Sequence, residues 1–322
     1  MNELHFAYAV ARIRCNELNL LTAADFEQLI SAPDYPAAVA FLSDKGWELD
    51  PKSESSAAVF RRKRAEAWEL IESSLEDVTI LNSVIVFNDF HNLKAALKCK
   101  FTGGEAKKYM IEPCVADCEA LLTAVDTHRF DQLPAFLQES AQEAYDVLVQ
   151  TGNGQRADCL LDCAAMRTAV EMAKKSESAM LLTLARTVAD CADAKTAYRC
   201  VKTGKDESFM EQAVSGCGLL DKAALCRAAL SGVEALAQAL EPVYPLLAKT
   251  LLTDSVSFEK ECDDALLAVY MAAKHKAFGV EPVAAYYLAC ESQVKNVRII
   301  LSGKLNGLSQ QEIERRVRSL YV

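Results

Sequence analysis

Asp89-Phe90-His91-Asn92-Leu93-Lys94-Ala95-Ala96-Leu97-Lys98-Cys99-Lys100-Phe101-Thr102-Gly103 returns 101 residues later, without a gap, as Asp190-Cys191-Ala192-Asp193-Ala194-Lys195-Thr196-Ala197-Tyr198-Arg199-Cys200-Val201-Lys202-Thr203-Gly204. Six of the fifteen positions are identical: Asp, Lys, Ala, Cys, Thr and Gly. A weaker third copy runs from Gln293 to Gly307. It keeps Asn296, Leu301, Lys304 and Gly307, with Val297, Arg298 and Leu305 as similar replacements. Repetition at long period decides architecture before any local pattern does, because each copy brings the same supersecondary unit with it. The spacing predicts three similar helical units, 1–106, 107–206 and 207–322.

Composition agrees with an all-α chain. Of 322 residues only 12 are Gly and 8 Pro, the two residues that cost most inside a helix. At 51% hydrophobic the chain has ample material for a core. No apolar run approaches the ~18 residues needed to span a bilayer. The start, Met1-Asn2-Glu3-Leu4-His5, lacks a basic region followed by an apolar stretch, so no signal peptide is expected. The chain is expected to be soluble and intracellular, with room for docking against a membrane protein. A net charge of −10 argues against nucleic-acid binding. That charge is uneven: from Lys295 to Val322 there are six basic residues and two acidic ones. The plain reading is a solvated helix face, and the sharper one is a basic patch that meets an acidic partner. Arg61-Arg62-Lys63-Arg64 is expected to be the wet side of a helix whose Phe60 and Trp68 face inward.

Local signals place the helices. Leu4, Ala7, Tyr8, Ala11, Cys15 and Leu18 mark one face of a helix over residues 3–20. Thr22-Ala23-Ala24-Asp25 caps a second helix that ends near Ser31, and a third starts at Pro33-Asp34-Tyr35-Pro36 and stops by Gly46. Asp50 to Ser56 reads as a loop. A long helix is expected over 57–82, and another through the first repeat to Phe101, ended by Gly103-Gly104. After a turn at Gly152-Asn153-Gly154, helices are expected over 157–175 and 178–201, with turns at Gly204, Gly216 and Gly218 and a break at Pro242 and Pro245. The last long helix has Pro282 in its first turn and an apolar stripe of Val283, Tyr287, Cys290, Val294, Val297, Leu301 and Leu305. Gly307 stops it, and Ser309-Gln310-Gln311-Glu312 is a capping box for a short final helix. Period-2 alternation dominates nowhere, so no sheet is expected.

A search for chemistry finds little. The four histidines, His5, His91, His128 and His275, have no partner at metal-ligand spacing. No phosphate-binding glycine loop and no G-x-S-x-G elbow occurs. Twelve cysteines in a chain expected to be intracellular are read as small buried hydrophobes rather than disulfides. Cys114/Cys118 and Cys159/Cys163 have helical i, i+4 spacing, which would put each pair on one face and leaves a four-thiolate metal site as a weaker alternative. No cofactor and no catalytic constellation is expected. The repeat does carry a basic residue at one matching place, Lys94, Lys195 and Arg298, two residues after Asn92, Asp193 and Asn296. Such a group either bonds a helix end within its own unit or meets a partner. The candidate partner-binding set is Asn92, Lys94, Lys195, Asn296, Arg298 and Lys304.

These residues resemble a known family, the C subunit of the bacterial and archaeal A/V-type rotary ATPases, whose vacuolar counterpart is the d subunit. Tyr8-Ala9-Val10-Ala11-Arg12-Ile13-Arg14, Leu20-Leu21-Thr22 and Asp25-Phe26-Glu27-Gln28-Leu29 resemble its opening. Asp89-Phe90-His91-Asn92-Leu93-Lys94 resembles its most recognisable motif. Glu281-Pro282, Lys295 through Leu308 and the closing Arg318-Ser319-Leu320-Tyr321-Val322 resemble its C-terminal signature. The likeness covers the whole length and departs in the middle copy, where Asp193-Ala194-Lys195 replaces a more usual Asn-Leu-Lys.

The resemblance implies three similar helical domains in a pseudo-threefold arrangement that form a funnel. It implies a non-catalytic central-stalk component that couples the central shaft subunits to the membrane rotor ring in ATP-linked proton or sodium transport, with no nucleotide bound and no nucleic-acid partner. The alternatives are a helical-repeat adaptor for other proteins, which would share this composition, and a helical metalloenzyme built on the two C-x3-C pairs.

Overall fold

The chain is described by a computed structural model that covers residues 6–49 and 56–322. Its elements are helical, and no strand occurs among the described residues. Helix α1 spans Ala7–Glu17. Helix α2 spans Ala23–Ser31 and opens on the expected capping box: Thr22 Oγ1 accepts from the Asp25 N–H, and the Asp25 carboxylate accepts from the Thr22 N–H at 2.8 Å. Helix α3 spans Tyr35–Asp44, with Asp34 as its cap. Most of the stretch read as a loop from Asp50 lies outside the described residues.

Helix α4 spans Ala57–Glu72, which corrects the expectation of one helix over 57–82. The stop lies at Ser73-Ser74, whose hydroxyls both bond back to the Leu70 carbonyl. Arg12, 61 residues earlier, fixes the break: its Nη1 donates to the Ser73 carbonyl at 3.1 Å and to the hydroxyls of Ser73 and Ser74 at 3.0 and 2.9 Å.

Helix α5 (Asn82–Thr102) follows a 3-10 turn at Thr79–Leu81 and ends at Gly103, whose φ of +82° is the left-handed conformation that closes a helix. Then come α6 (Cys118–Thr127), α7 (Ala135–Thr151), α8 (Gly154–Lys175) and α9 (Ala179–Thr203). Four short helices follow: α10 (Glu207–Ala213), α11 (Lys222–Ser231), α12 (Val233–Leu240) and α13 (Pro245–Leu251). The chain closes with α14 (Ser255–Met271), α15 (Glu281–Leu305) and α16 (Gln310–Arg316), the last opened by the expected Ser309–Glu312 box. Of the predicted stripe on α15, Val283, Tyr287, Val294, Val297 and Leu301 are buried, but Leu305 is exposed.

The helices pack as two compact units. One joins Met1–Val78 to Asp254–Val322, and the other is Thr79–Thr253. In the first, Phe26, Leu29, Val39, Leu42 and Phe60 from the start of the chain share one core with Val294, Val297, Ile300 and Ile313 from its end. Trp47 meets Phe60 edge to face at 6.4 Å, and Trp68 meets Tyr287 at 5.5 Å. In the second, α5 lies against α8, and α9 against α8 and α11. The boundaries expected at 106/107 and 206/207 rest on the repeat alone. No helix among the described residues is long and apolar enough to cross a membrane.

Candidate functional site

The three copies of the repeat lie on the three long helices α5, α9 and α15, and the first residue of each copy is buried. Asp89 accepts from the N–H groups of Val115 at 2.9 Å and Ala116 at 2.6 Å, the two residues before Asp117, which caps α6. Asp190 accepts from Leu219 and Leu220 at 2.9 Å, the two residues before Asp221, which caps α11. Gln293 donates to the carbonyl of Leu21 at 3.2 Å, the residue before Thr22, which caps α2. Each long helix therefore holds the entry of one short helix by a buried polar side chain. For the third copy that short helix lies 272 residues upstream.

One turn further on, the same face carries Asn92, Asp193 and Asn296, also buried. Asn92 pairs with both backbone groups of Ile111, accepting at 2.8 Å and donating at 2.9 Å. Asn296 pairs with Arg318 in the same way, at 2.8 and 3.1 Å. Asp193, where the other two copies have Asn, meets a loop that offers donors only: Ser215 N–H at 2.7 Å, Gly216 N–H at 2.8 Å and the Ser215 hydroxyl at 2.9 Å. An ionised carboxylate accepts and never donates, so Asp fits where the amide of Asn would leave a donor facing donors.

The other end of the short helix is held too. Lys100 donates to the carbonyls of Val125 and Asp126, at the end of α6, at 2.7 and 2.8 Å. Lys304, its counterpart, donates to the Ile30 carbonyl at 2.9 Å and to the Ala32 carbonyl, at the end of α2. A cation there satisfies carbonyls with no partner in their own helix. The eleven-residue step from Asp89 to Lys100 rises about 17 Å, matching the ~15 Å of a ten-residue helix held at both ends. The middle copy has Val201 at this place.

Of the candidate partner-binding residues, Asn92, Asn296 and Lys304 thus have internal bonds. Lys94 pairs with Asp162 of α8 at 2.6 Å and bonds no helix end. Arg298 is exposed as a residue, and its guanidinium lies over the Phe60 ring at 5.2 Å. Partial burial of the charge, and then repulsion from Arg64, pull its pKa down against the attraction of Glu291. Lys195 is half-buried and has no ion pair or hydrogen bond among the described residues. Much of the C-terminal basic charge is matched locally: Lys295 and Arg318 both reach Asp263, at 2.5 and 2.6 Å, and Arg315 reaches Asp254 at 3.1 Å. Those two cations and their hydrogen bonds hold the Asp263 carboxyl below its usual range although burial pushes it up. In the basic run of α4, Arg64 is not on the wet side, since it pairs with the half-buried Glu291 at 2.8 Å.

The sequence did not single out Asp89, Asp190 and Gln293 as anchors, although for the first two a signal was there: an acid repeated in register. Burial lifts the Asp89 carboxyl to about 6, against the pull of its two N–H partners. Cys114 stands in the loop before α6 rather than on a helix, because Pro113 precedes it and Asp89 takes the N–H groups that follow. No group of three or more His, Cys, Asp or Glu among the described residues is placed to hold a metal ion. A groove of about 1050 Å³ in the first unit is lined by charged groups already matched, Asp25 with Lys45 at 2.6 Å and Lys63 with Glu66 at 2.8 Å.

The chain matches the family described as ATP synthase (C/AC39) subunit over residues 9–316. It is 24% identical over 317 residues to the C subunit of the V-type sodium ATPase of Enterococcus hirae, an alignment that covers 96% of this chain and 97% of that protein.

Proposed function

We propose a mechanical role for this chain, which belongs to the ATP synthase (C/AC39) subunit family: it is a non-catalytic part of the central stalk that couples the shaft subunits to the membrane rotor ring in ATP-linked transport of protons or sodium ions. The observation that carries this reading is the match over nearly the whole chain, together with the C subunit of a V-type sodium ATPase aligned from end to end. The likeness lies in the scaffold itself and not in one grafted segment. It works at the membrane as a peripheral cytoplasmic piece of the complex.

The physical case is one of stiffness. A coupler that transmits torque must keep its own shape under load. Short helices whose entries are tied to long ones by buried side chains resist local opening, because breaking one tie leaves a polar group unpaired in the interior. Three similar helical domains, 1–106, 107–206 and 207–322, in a pseudo-threefold funnel would distribute contacts around a rotation axis. The repeated anchors at Asp89, Asp190 and Gln293 support that repetition.

The test is the mass, by light scattering, of this chain mixed with the two shaft subunits of the same complex. A one-to-one-to-one assembly is expected. A chain that stays apart from the shaft subunits both in solution and in membranes containing the rotor ring would overturn the reading.

A further inference from the structure

Cys114 and Cys118 face one another at the loop that opens α6. Their sulfurs lie 3.5 Å apart, about 1.5 Å beyond the length of an S–S bond. Both residues are half-buried rather than sealed in the core. The approach is not an accident of a slack loop. Asp89 fixes Val115 and Ala116 between the two cysteines, Asn92 fixes Ile111 before them, and the Cys114 thiol donates to the Ala116 carbonyl at 3.0 Å.

The two sulfurs differ. Cys118 is the first residue of α6, where unpaired N–H groups favour negative charge, and its sulfur accepts from Asn92 Nδ2 at 3.5 Å. Cys114 has neither support. Burial pushes both thiols up, and the carboxylates of Asp89 and Glu112 add to this. Proximity, rather than an activated thiolate, is therefore what would single this pair out among twelve cysteines.

We propose that Cys114 and Cys118 are a modification site that closes to a reversible disulfide in the presence of hydrogen peroxide. The Cys118 thiolate attacks one peroxide oxygen, the O–O bond breaks, and the departing hydroxide takes a proton to become water. Cys118 is left as a sulfenic acid. The Cys114 sulfur, giving up its proton, attacks the Cys118 sulfur; the S–S bond forms, the S–O bond breaks, and a second water leaves. Two thiols lose two electrons, and one peroxide becomes two waters. A dithiol reductant reverses the step by exchange. The bond ties the loop that Asp89 and Asn92 hold directly to α6, so oxidation would stiffen the first repeat.

The test uses the full chain exposed to hydrogen peroxide, alkylated and mapped by mass spectrometry. Cys159 and Cys163 are the internal control, with the same spacing but within the continuous helix α8. The Cys114–Cys118 disulfide is expected to form about ten-fold faster than oxidation of that control pair and to disappear on treatment with dithiothreitol. In Cys114→Ser the reaction should stop at a Cys118 sulfenic acid, trapped by dimedone, while Cys118→Ser should leave Cys114 alkylatable. The wild-type map decides the matter even if a variant folds poorly. Equal oxidation of both pairs, or peroxide adducts on exposed Cys15 with Cys114 and Cys118 still free, would overturn the proposal.

Discussion

The carboxylate of Asp190 occupies the space that a Cβ on Gly218 would need. Gly218 is glycine for room rather than for a left-handed turn, because its φ is not among the positive ones. The carboxylate cannot retreat, since Leu219, Leu220 and Tyr244 all donate to it at 2.8 to 3.0 Å. Gly218→Ala is therefore expected to overpack the turn and disturb buried hydrogen bonds, at a cost of about 3 kcal/mol. A urea-unfolding midpoint equal to that of the unmodified chain would show that the anchor at Asp190 is looser than this geometry says.

Asp89 carries the matching prediction for the first repeat, and it depends on pH. Asp89→Ala strands one buried and one half-buried N–H group and should cost about 2–4 kcal/mol. Asp89→Asn keeps one acceptor and removes the titration. The folded carboxyl titrates near 6, above the ordinary 3.8, so the folded state holds the proton more tightly than the unfolded one. The sign follows: the favourable contribution is complete below pH ~4 and is lost as pH rises through about 6. The stability of the native chain relative to Asp89→Asn should fall over that window, by at most about 3 kcal/mol, and level off above it. Parallel stability curves for the two proteins from pH 4 to 7 would contradict this.

How much of this could be read from the sequence depended on distance along the chain. Caps written in four residues, Thr22 to Asp25 and Ser309 to Glu312, stand where the spacing placed them. The end of α4 did not, because what fixes it is Arg12, brought to Ser73 from 61 residues away. The repeat pointed to α5, α9 and α15 but gave no role to its own first residue. Gln293 was hidden for a further reason: its partner is Leu21, and only folding brings the two ends of the chain together. The same limit applies to the basic residues. A sequence shows that Lys94 and Lys304 are cations; it does not show that Asp162 and the end of α2 already engage them.

Lys100 and Lys304 should behave alike, since each donates to carbonyls at the C-terminal end of a short helix. Lys100→Met and Lys304→Met keep most of the stem and remove the charge. Each is expected to cost about 1–2 kcal/mol, the range for a charge-assisted bond to a helix end. Hydrogen exchange should locate the loss in the last turns of α6 and α2 respectively. Faster exchange spread evenly over the fold would mean that the lysines do not act as caps.

Lys195 offers the cleanest test of partner contact. Reversing Lys94 would set a carboxylate against Asp162, and reversing Lys304 would uncap α2, so a loss of assembly in either variant would be confounded with instability. Lys195 has no such internal partner among the described residues, yet it stands at the same place in the repeat. Lys195→Glu is expected to leave the thermal midpoint unchanged and to weaken association with the shaft subunits about five- to ten-fold, an effect that shrinks as salt is added because it is a charge contact. Calorimetric titration at two ionic strengths reads both numbers. Unchanged affinity with unchanged stability would remove the α9 face from the contact and shift attention to Arg298, the other candidate cation without an ion pair of its own among the described residues.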